Sequence, residues 1–286
     1  MVDETTHLLH QKAMLQILDE FDRICKLLQI PYILFAGTLL GAVRHNGFVP
    51  WDDDLDVLMF REDYERFLAN AASHLDHQRF YLQAEFTEHW PMFFSKMRLN
   101  GTVCTEKYRP KDREAHSGIY IDIFPCDDTA ETFVGRLMQY GASKVVIAKS
   151  LDARGYQTAN LLKRIFIACC RLLPIDPFLR VVKTGKRGGR FVHTFLAAGR
   201  RYRKNILPRT YFLASTELDF CCKKYPVPEN YEAVLRRMYG DYMCLPTQKQ
   251  RTMKIHAIDI SLETDRNQNL ESVDLPRRME KTRSIR

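Results

Sequence analysis

Between residues 6 and 29, apolar side chains recur three and four positions apart: Leu8, Leu9, Met14, Leu15, Leu18, Phe21, Ile24, Cys25 and Leu28. That spacing lines one face of an amphipathic helix, and Pro31 stops it. The run YILFAGT that follows is short and nearly all apolar, which predicts a buried strand broken at Gly37-Thr38. LLGAVRH then reads as a short helix or turn closed by Asn46-Gly47. Trp51 to Phe60 reads as a second strand. REDYERFLANAASHL reads as a helix whose Glu62 and Asp63 suit its positive N-terminal end. Three more strands are expected at RFYLQAEF (79–86), PMFFSKMRL (91–99) and SGIYIDIFP (117–125). Past Asp128 the pattern turns mostly helical to about residue 240, with loops at 152–158, 184–190 and 226–230. From Glu263 onward the chain is polar and charged, and is expected to be disordered. There is no internal repeat. The outline is an α/β core over about 1–128, a helical part over about 129–262 and a tail over 263–286.

Pattern and chemistry collide in the second strand. GTLLGAVRHNGFVPWDDDLDV (37–57) packs Asp52, Asp53, Asp54 and Asp56 into five consecutive positions, although aspartates repel one another and are depleted in strands. Alternation along a strand sends Leu55, Val57 and Met59 inward with Asp53, and puts Asp52, Asp54 and Asp56 on the opposite face. Such a set can present oxygens to one or two divalent cations; a capping or surface cluster is the bland alternative. A calcium loop fails, because Val57 stands where the turn glycine belongs and Asp63 where the bidentate glutamate belongs. SGIYIDIFP offers a third carboxylate, with Ile119, Ile121 and Ile123 on one face and Tyr120, Asp122 and Phe124 on the other. An aspartate among isoleucines needs a partner: a metal, a substrate hydroxyl or a helix end. Lys96 and Arg98, two apart and therefore on one face, can neutralise phosphate oxygens, or else snorkel from a sheet edge. Arg44 and His45 could reach an anion near a helix N-terminus. Trp51, Trp90, Tyr120 and Phe124 could cage a quaternary ammonium, or serve as core.

Composition narrows the class. A chain of 286 residues that is 45% hydrophobic can bury a sizeable core. Its eight cysteines show no CxxC spacing and no close histidine pair, which argues against structural zinc and for a reducing compartment. MVDETTHLLHQK lacks the basic-then-apolar pattern of a secretory leader, and no stretch is apolar enough to span a bilayer, so a cytoplasmic protein is expected. The net charge of +8 is uneven: residues 151–210 hold fourteen Lys or Arg against Asp152 and Asp176. That block suits an anionic partner (nucleic acid, membrane surface or phosphorylated substrate) or a solvated helical face. Within it, NLLKRIFIACCRLLPIDPFLR (160–180) carries a broad apolar stripe that could lie in a membrane interface or pack on the core. No RNP-like, KH or zinc-knuckle signature is present, so nucleic acid is not the expected partner, though an RNA-directed nucleotidyltransferase is an alternative reading.

Gly-Thr after a strand, a short helix, a strand carrying Asp-x-Asp and a later strand carrying one more Asp is the layout of a nucleotidyltransferase. The residues go further: GTLLGAVRHNGFVPWDDDLDV, DYERF (63–67), SGIYIDIFP and YGDYMCLP (239–246) resemble the LicD family of phosphotransferases, from about residue 10 to 260. The resemblance implies a DNA polymerase β-like nucleotidyltransferase core sheet with flanking helices, using Mg²⁺ or Mn²⁺. By motif match Asp54, Asp56 and Asp122 inherit the catalytic, metal-holding role. Gly37, Thr38, Arg44, His45, Trp51, Asp52, Asp53, Lys96 and Arg98 complete the expected substrate-binding set. The family's reaction moves a phospho-alcohol, notably phosphocholine from CDP-choline, to a sugar hydroxyl of a teichoic acid or lipopolysaccharide precursor, releasing CMP. Ribitol or glycerol phosphate is the alternative cargo, and a lipid-linked acceptor would place the protein at the inner membrane face. Lys254-Ile255-His256 stands where the family pattern has a pair of histidines, a departure that bears on substrate identity.

Overall fold

The computed structural model describes residues 4–106, 115–185, 187–197, 201–247 and 257–262. Helix α1 (Glu4–Leu28) follows the expected periodicity and buries Met14, Leu18, Phe21 and Ile24 in the main core. The strands that core rests on are β1 (Ile33–Leu34), β2 (Asp56–Phe60), β3 (Phe80–Gln83), β4 (Ser95–Leu99) and β6 (Tyr120–Asp128), with β5 (Thr102–Glu106) apart from them. Their order is β1-β2-β6-β4-β3, and β2 runs parallel to β6 while the other pairs are antiparallel. The parallel step needs a crossover; it leaves β2 through α3 (Arg61–Asn70) and returns by β3, β4 and β5. The fold is mixed α/β around one mixed sheet.

Two expectations near the aspartates change. The strand at YILFAGT shrinks to Ile33–Leu34, and Gly37-Thr38 is not a break but the first turn of α2 (Ala36–His45). Ala36 takes the left-handed φ of 46° to make so abrupt a switch, and Asn46, left-handed at 53°, caps the other end. The second strand begins at Asp56, not Trp51, because the run of carboxylates ahead of it resists strand pairing.

The helical part is only half helical. α4 (Phe133–Ala153), α5 (Leu161–Arg171) and α6 (Asp176–Lys183) follow the expectation. After them come β7 (Phe191–His193), β8 (Ile206–Pro208), β9 (Ser215–Phe220) and β10 (Lys223–Pro228) before α7 (Tyr231–Tyr239). β7 pairs with Asp127 and Asp128, so β7 and β8 extend the far end of β6. β9 and β10 form a hairpin turned by Cys221 and Cys222, both left-handed at φ 50° and 68°. β11 (Ala257–Leu262) pairs with β5. The expected disordered tail and Lys254-Ile255-His256 lie outside the described residues.

Candidate active site

Strand register builds the centre of the site. Asp56 of β2 is the direct partner of Asp122 of β6, and Lys96 of β4 is the partner of Asp122 on its other side. Paired residues project from the same face of a sheet, on strands about 4.8 Å apart, so two carboxylates and an ammonium stand in a row across three strands. Lys96 Nζ lies 3.1 Å from Asp122 Oδ1. Ahead of the strand, Asp53 is buried while Asp52 and Asp54 are half-buried.

Helix α2 roofs this row. Thr38 Oγ1 accepts the Asp56 backbone N–H at 2.8 Å, and the Asp56 carbonyl accepts the Phe35 N–H at 3.0 Å. The glycine before Thr38 has a steric reason: a Cβ on Gly37 would overlap the Asp52 carboxylate. Phe35, at the N-cap, supplies no side-chain acceptor, and the Thr38 and Gly37 contacts set this positive helix end beside Asp56 and Asp52.

Crowding and burial act together on the carboxylates. Burial, then Asp56, Asp52, Asp53 and Asp122, push the Asp54 carboxyl well above the usual range. Burial, then Asp122 and Asp52, do the same to Asp56, with Lys96 pulling the other way. The donors are all oxygen, the set a hard cation such as Mg²⁺ or Mn²⁺ takes. Among the described residues no three acid, histidine or cysteine side chains close into a ready-made metal cage; Asp56 and Asp122 are the aligned pair, with Asp54 two residues upstream.

The model of the LicD, FKTN and FKRP nucleotidyltransferase domain matches residues 29–152, the stretch that carries Asp54, Asp56 and Asp122. The chain carries a LicD-family domain. Lipopolysaccharide cholinephosphotransferase LicD of Haemophilus influenzae is 26% identical over 255 residues, spanning 84% of this chain and 92% of that protein. An uncharacterized protein of Rickettsia typhi is 55% identical over 38 residues, 13% of this chain and 12% of its own length. One of Rickettsia prowazekii is 59% identical over 34 residues, 12% of this chain and 13% of its own.

Around the acid cluster the remaining expected residues divide. Arg44 packs 5.9 Å from the Trp51 ring centre, donates to His45 Nε2 at 2.9 Å and to the Tyr242 carbonyl at 2.8 Å. Burial and Arg44 push His45 down to about 4, so it is neutral at pH 7. Arg98 is buried and donates to Gln83 Oε1 and the Gly118 carbonyl, both at 2.6 Å; these bonds make it a brace between β3, β4 and the segment that enters β6. The aromatic cage is filled by the protein itself: Lys96 Nζ sits 2.9 Å from the Tyr120 ring centre and 5.2 Å from that of Trp90. Phe124 packs on Phe94 in the core. Of the four candidate aromatics only Trp51 is left half-exposed.

Tyr239, at the end of α7, joins the site without having been singled out as a site residue. Burial, then Asp56, Asp52 and Asp54, push its phenol far above its ordinary value. Its signal in the sequence was the LicD-like YGDYMCLP segment, which the Arg44–Tyr242 bond ties to α2.

Proposed function

We propose that the protein is a metal-dependent phosphotransferase that moves a phospho-alcohol, phosphocholine foremost, from a CDP-alcohol to a sugar hydroxyl of a lipopolysaccharide-type glycan, releasing CMP. The likeness to a lipopolysaccharide cholinephosphotransferase supports the class. The observation that carries the chemistry is the side-by-side register of Asp56 and Asp122 beneath the N-terminus of α2. We read the sheet as a DNA polymerase β-like core, in which Asp54, Asp56 and Asp122 would hold Mg²⁺ or Mn²⁺. When bound, the cation neutralises charge on the transferring phosphoryl group and draws the acceptor oxygen toward it.

The rest is the work of this chain's own groups. Lys96 faces the donor phosphates beside Asp122, while Arg98 fixes the strand and ring that hold Lys96 in place. The backbone at Gly37 and Thr38 supplies N–H groups at a positive helix end, where a phosphate is stabilised. The acceptor oxygen forms the new bond to phosphorus, the bond to the CMP oxygen breaks, and Asp122 takes the hydroxyl proton. CMP release from CDP-choline with purified protein, with and without EDTA, tests the reading: activity that survives excess chelator would overturn the metal role.

A second cargo is favoured by one observation. Because Lys96 fills the Trp90–Tyr120 box, those rings are not open to a choline headgroup, which leaves ribitol or glycerol phosphate as the competing alcohol. Turnover of CDP-ribitol or CDP-glycerol above that of CDP-choline would assign it.

A further inference from the structure

Helix α5 turns its apolar side away from the protein. Only Ile167 and Cys170 are buried, packed with Val145 and Ala148 of α4 and with Tyr156 just beyond it. At 3.6 residues per turn, Leu161, Ile165, Ala168 and Leu172 fall on the opposite side. There Leu161 is 64% exposed, Ile165 52% and Leu172 85%, with Leu162 on the flank at 78%. The same periodicity places Val134, Met138, Val145 and Ala148 along one side of α4. α5 covers the second pair and leaves Val134 and Met138 bare at 64% and 59%. Large apolar side chains left exposed on two neighbouring helices mark an interaction site.

Charge selects the partner. From Ala153 to Ile175 the chain carries Arg154, Lys163, Arg164 and Arg171 and no acid. Arg164 and Arg171 lie along one edge of the bare ridge and line a cleft of about 500 Å³ with Tyr156, Gln157 and Thr158. The one acid of that cleft, Asp152, lies 3.9 Å from Arg171. A second copy of the chain fits poorly, because a two-fold contact would set this acid-free stretch against itself. Apolar residues on one face and Lys or Arg beside them are what an interfacial helix presents to anionic lipid. No described helix is long and apolar enough to cross a membrane, so α5 would lie in the plane.

We propose that α5 and the first half of α4 dock the protein on an anionic bilayer. Leu161, Leu162, Ile165 and Leu172 enter the boundary between headgroups and acyl chains, and Arg164 and Arg171 at the edge of that ridge meet the headgroup phosphates, while Lys163 is turned to the Tyr156 hydroxyl at 2.8 Å. The docking does not depend on the reaction proposed for the acid cluster.

Flotation of the full chain with vesicles tests this. The protein floats with mixed phosphatidylglycerol–phosphatidylcholine vesicles at low salt, and less at high salt because the charge contribution is screened. The double variant Ile165→Asp, Leu172→Asp loses about a hundredfold in vesicle affinity. The charge variant Arg164→Gln, Arg171→Gln loses roughly fivefold per charge on anionic vesicles and nothing on pure phosphatidylcholine. All four side chains are exposed, so both variants keep the parent melting temperature. Absence of flotation at low salt, or flotation that the aspartate pair leaves unchanged, overturns the proposal. So does a vesicle-free dimer, seen by size exclusion, that the same pair dissociates.

Discussion

A methyl group at position 37 would collide with the carboxylate of Asp52 and with little else, so Gly37→Ala separates folding from activity. Position 37 is helical, and alanine there favours the helix by about 0.5–1 kcal/mol. The melting temperature should hold or rise while CMP release falls about ten- to a hundredfold, as Asp52 is forced off its position. Equal activity in the variant would show that Asp52 can sit elsewhere without harm. Asp56→Asn acts on the centre itself. It leaves Thr38 its bond to the backbone of residue 56 and removes one of several mutually repelling carboxylates, so thermal stability should rise. Turnover should fall at least about a hundredfold, as it should for Asp122→Asn. Near-normal rates in either would take that residue out of the chemistry.

Between elements, a buried ion network holds the end of the sheet opposite the aspartates. Arg61, first residue of α3, donates to both oxygens of Asp127 in β6 at 2.7 and 3.1 Å, and to Glu85 at 3.0 Å. Burial alone would push Asp127 up; the Arg61 pair and its hydrogen bonds more than offset this and hold it below the usual range. Arg61→Ala strands both acids and should cost about 3–5 kcal/mol in urea unfolding, without changing the spacing of Asp56 and Asp122. Elements like α1 and α3 were legible in the sequence because their apolar spacing is long enough to exclude other periods. The acid pair was legible because Ile119, Ile121 and Ile123 announce which way Asp122 must face. Arg61 was not, since nothing local says that an arginine opening a helix will meet an acid 66 positions on. The hairpin of β9 and β10 was missed for a different reason. Its turn is Cys221-Cys222, left-handed at both positions without the Asn-Gly chemistry that normally flags such turns, and Pro226 and Pro228 argue against a strand. The cage aromatics also misled, because alternation places Tyr120 beside Asp122 but cannot show that Lys96 reaches its ring first.

For the molecule as a whole, acid is the condition that finds its weak points. His10 on α1 is buried, and burial followed by His7 pushes it down to about 4. In the unfolded chain it protonates near 6.5, so the unfolded state binds the extra proton first. Stability therefore falls as pH drops through 6.5 and stops falling on this account near 4, a loss on the order of 3 kcal/mol. Urea midpoints measured between pH 7 and 4.5 should decline, and His10→Gln should flatten the decline; an equal slope in the variant would assign it to other groups. The site is equally a property of the whole chain, since the bond from Arg44 to the Tyr242 carbonyl joins residues 198 positions apart. A ribosome adds about 5–20 residues per second, so the segment carrying Arg44 and Asp52 to Asp56 is synthesised roughly 10–40 s before Tyr242. Throughout that interval a nascent chain has the acids without Tyr239 or α7 beside them. The protein is born unfinished at its working end, and residues 231–242 join a segment whose acids were made long before.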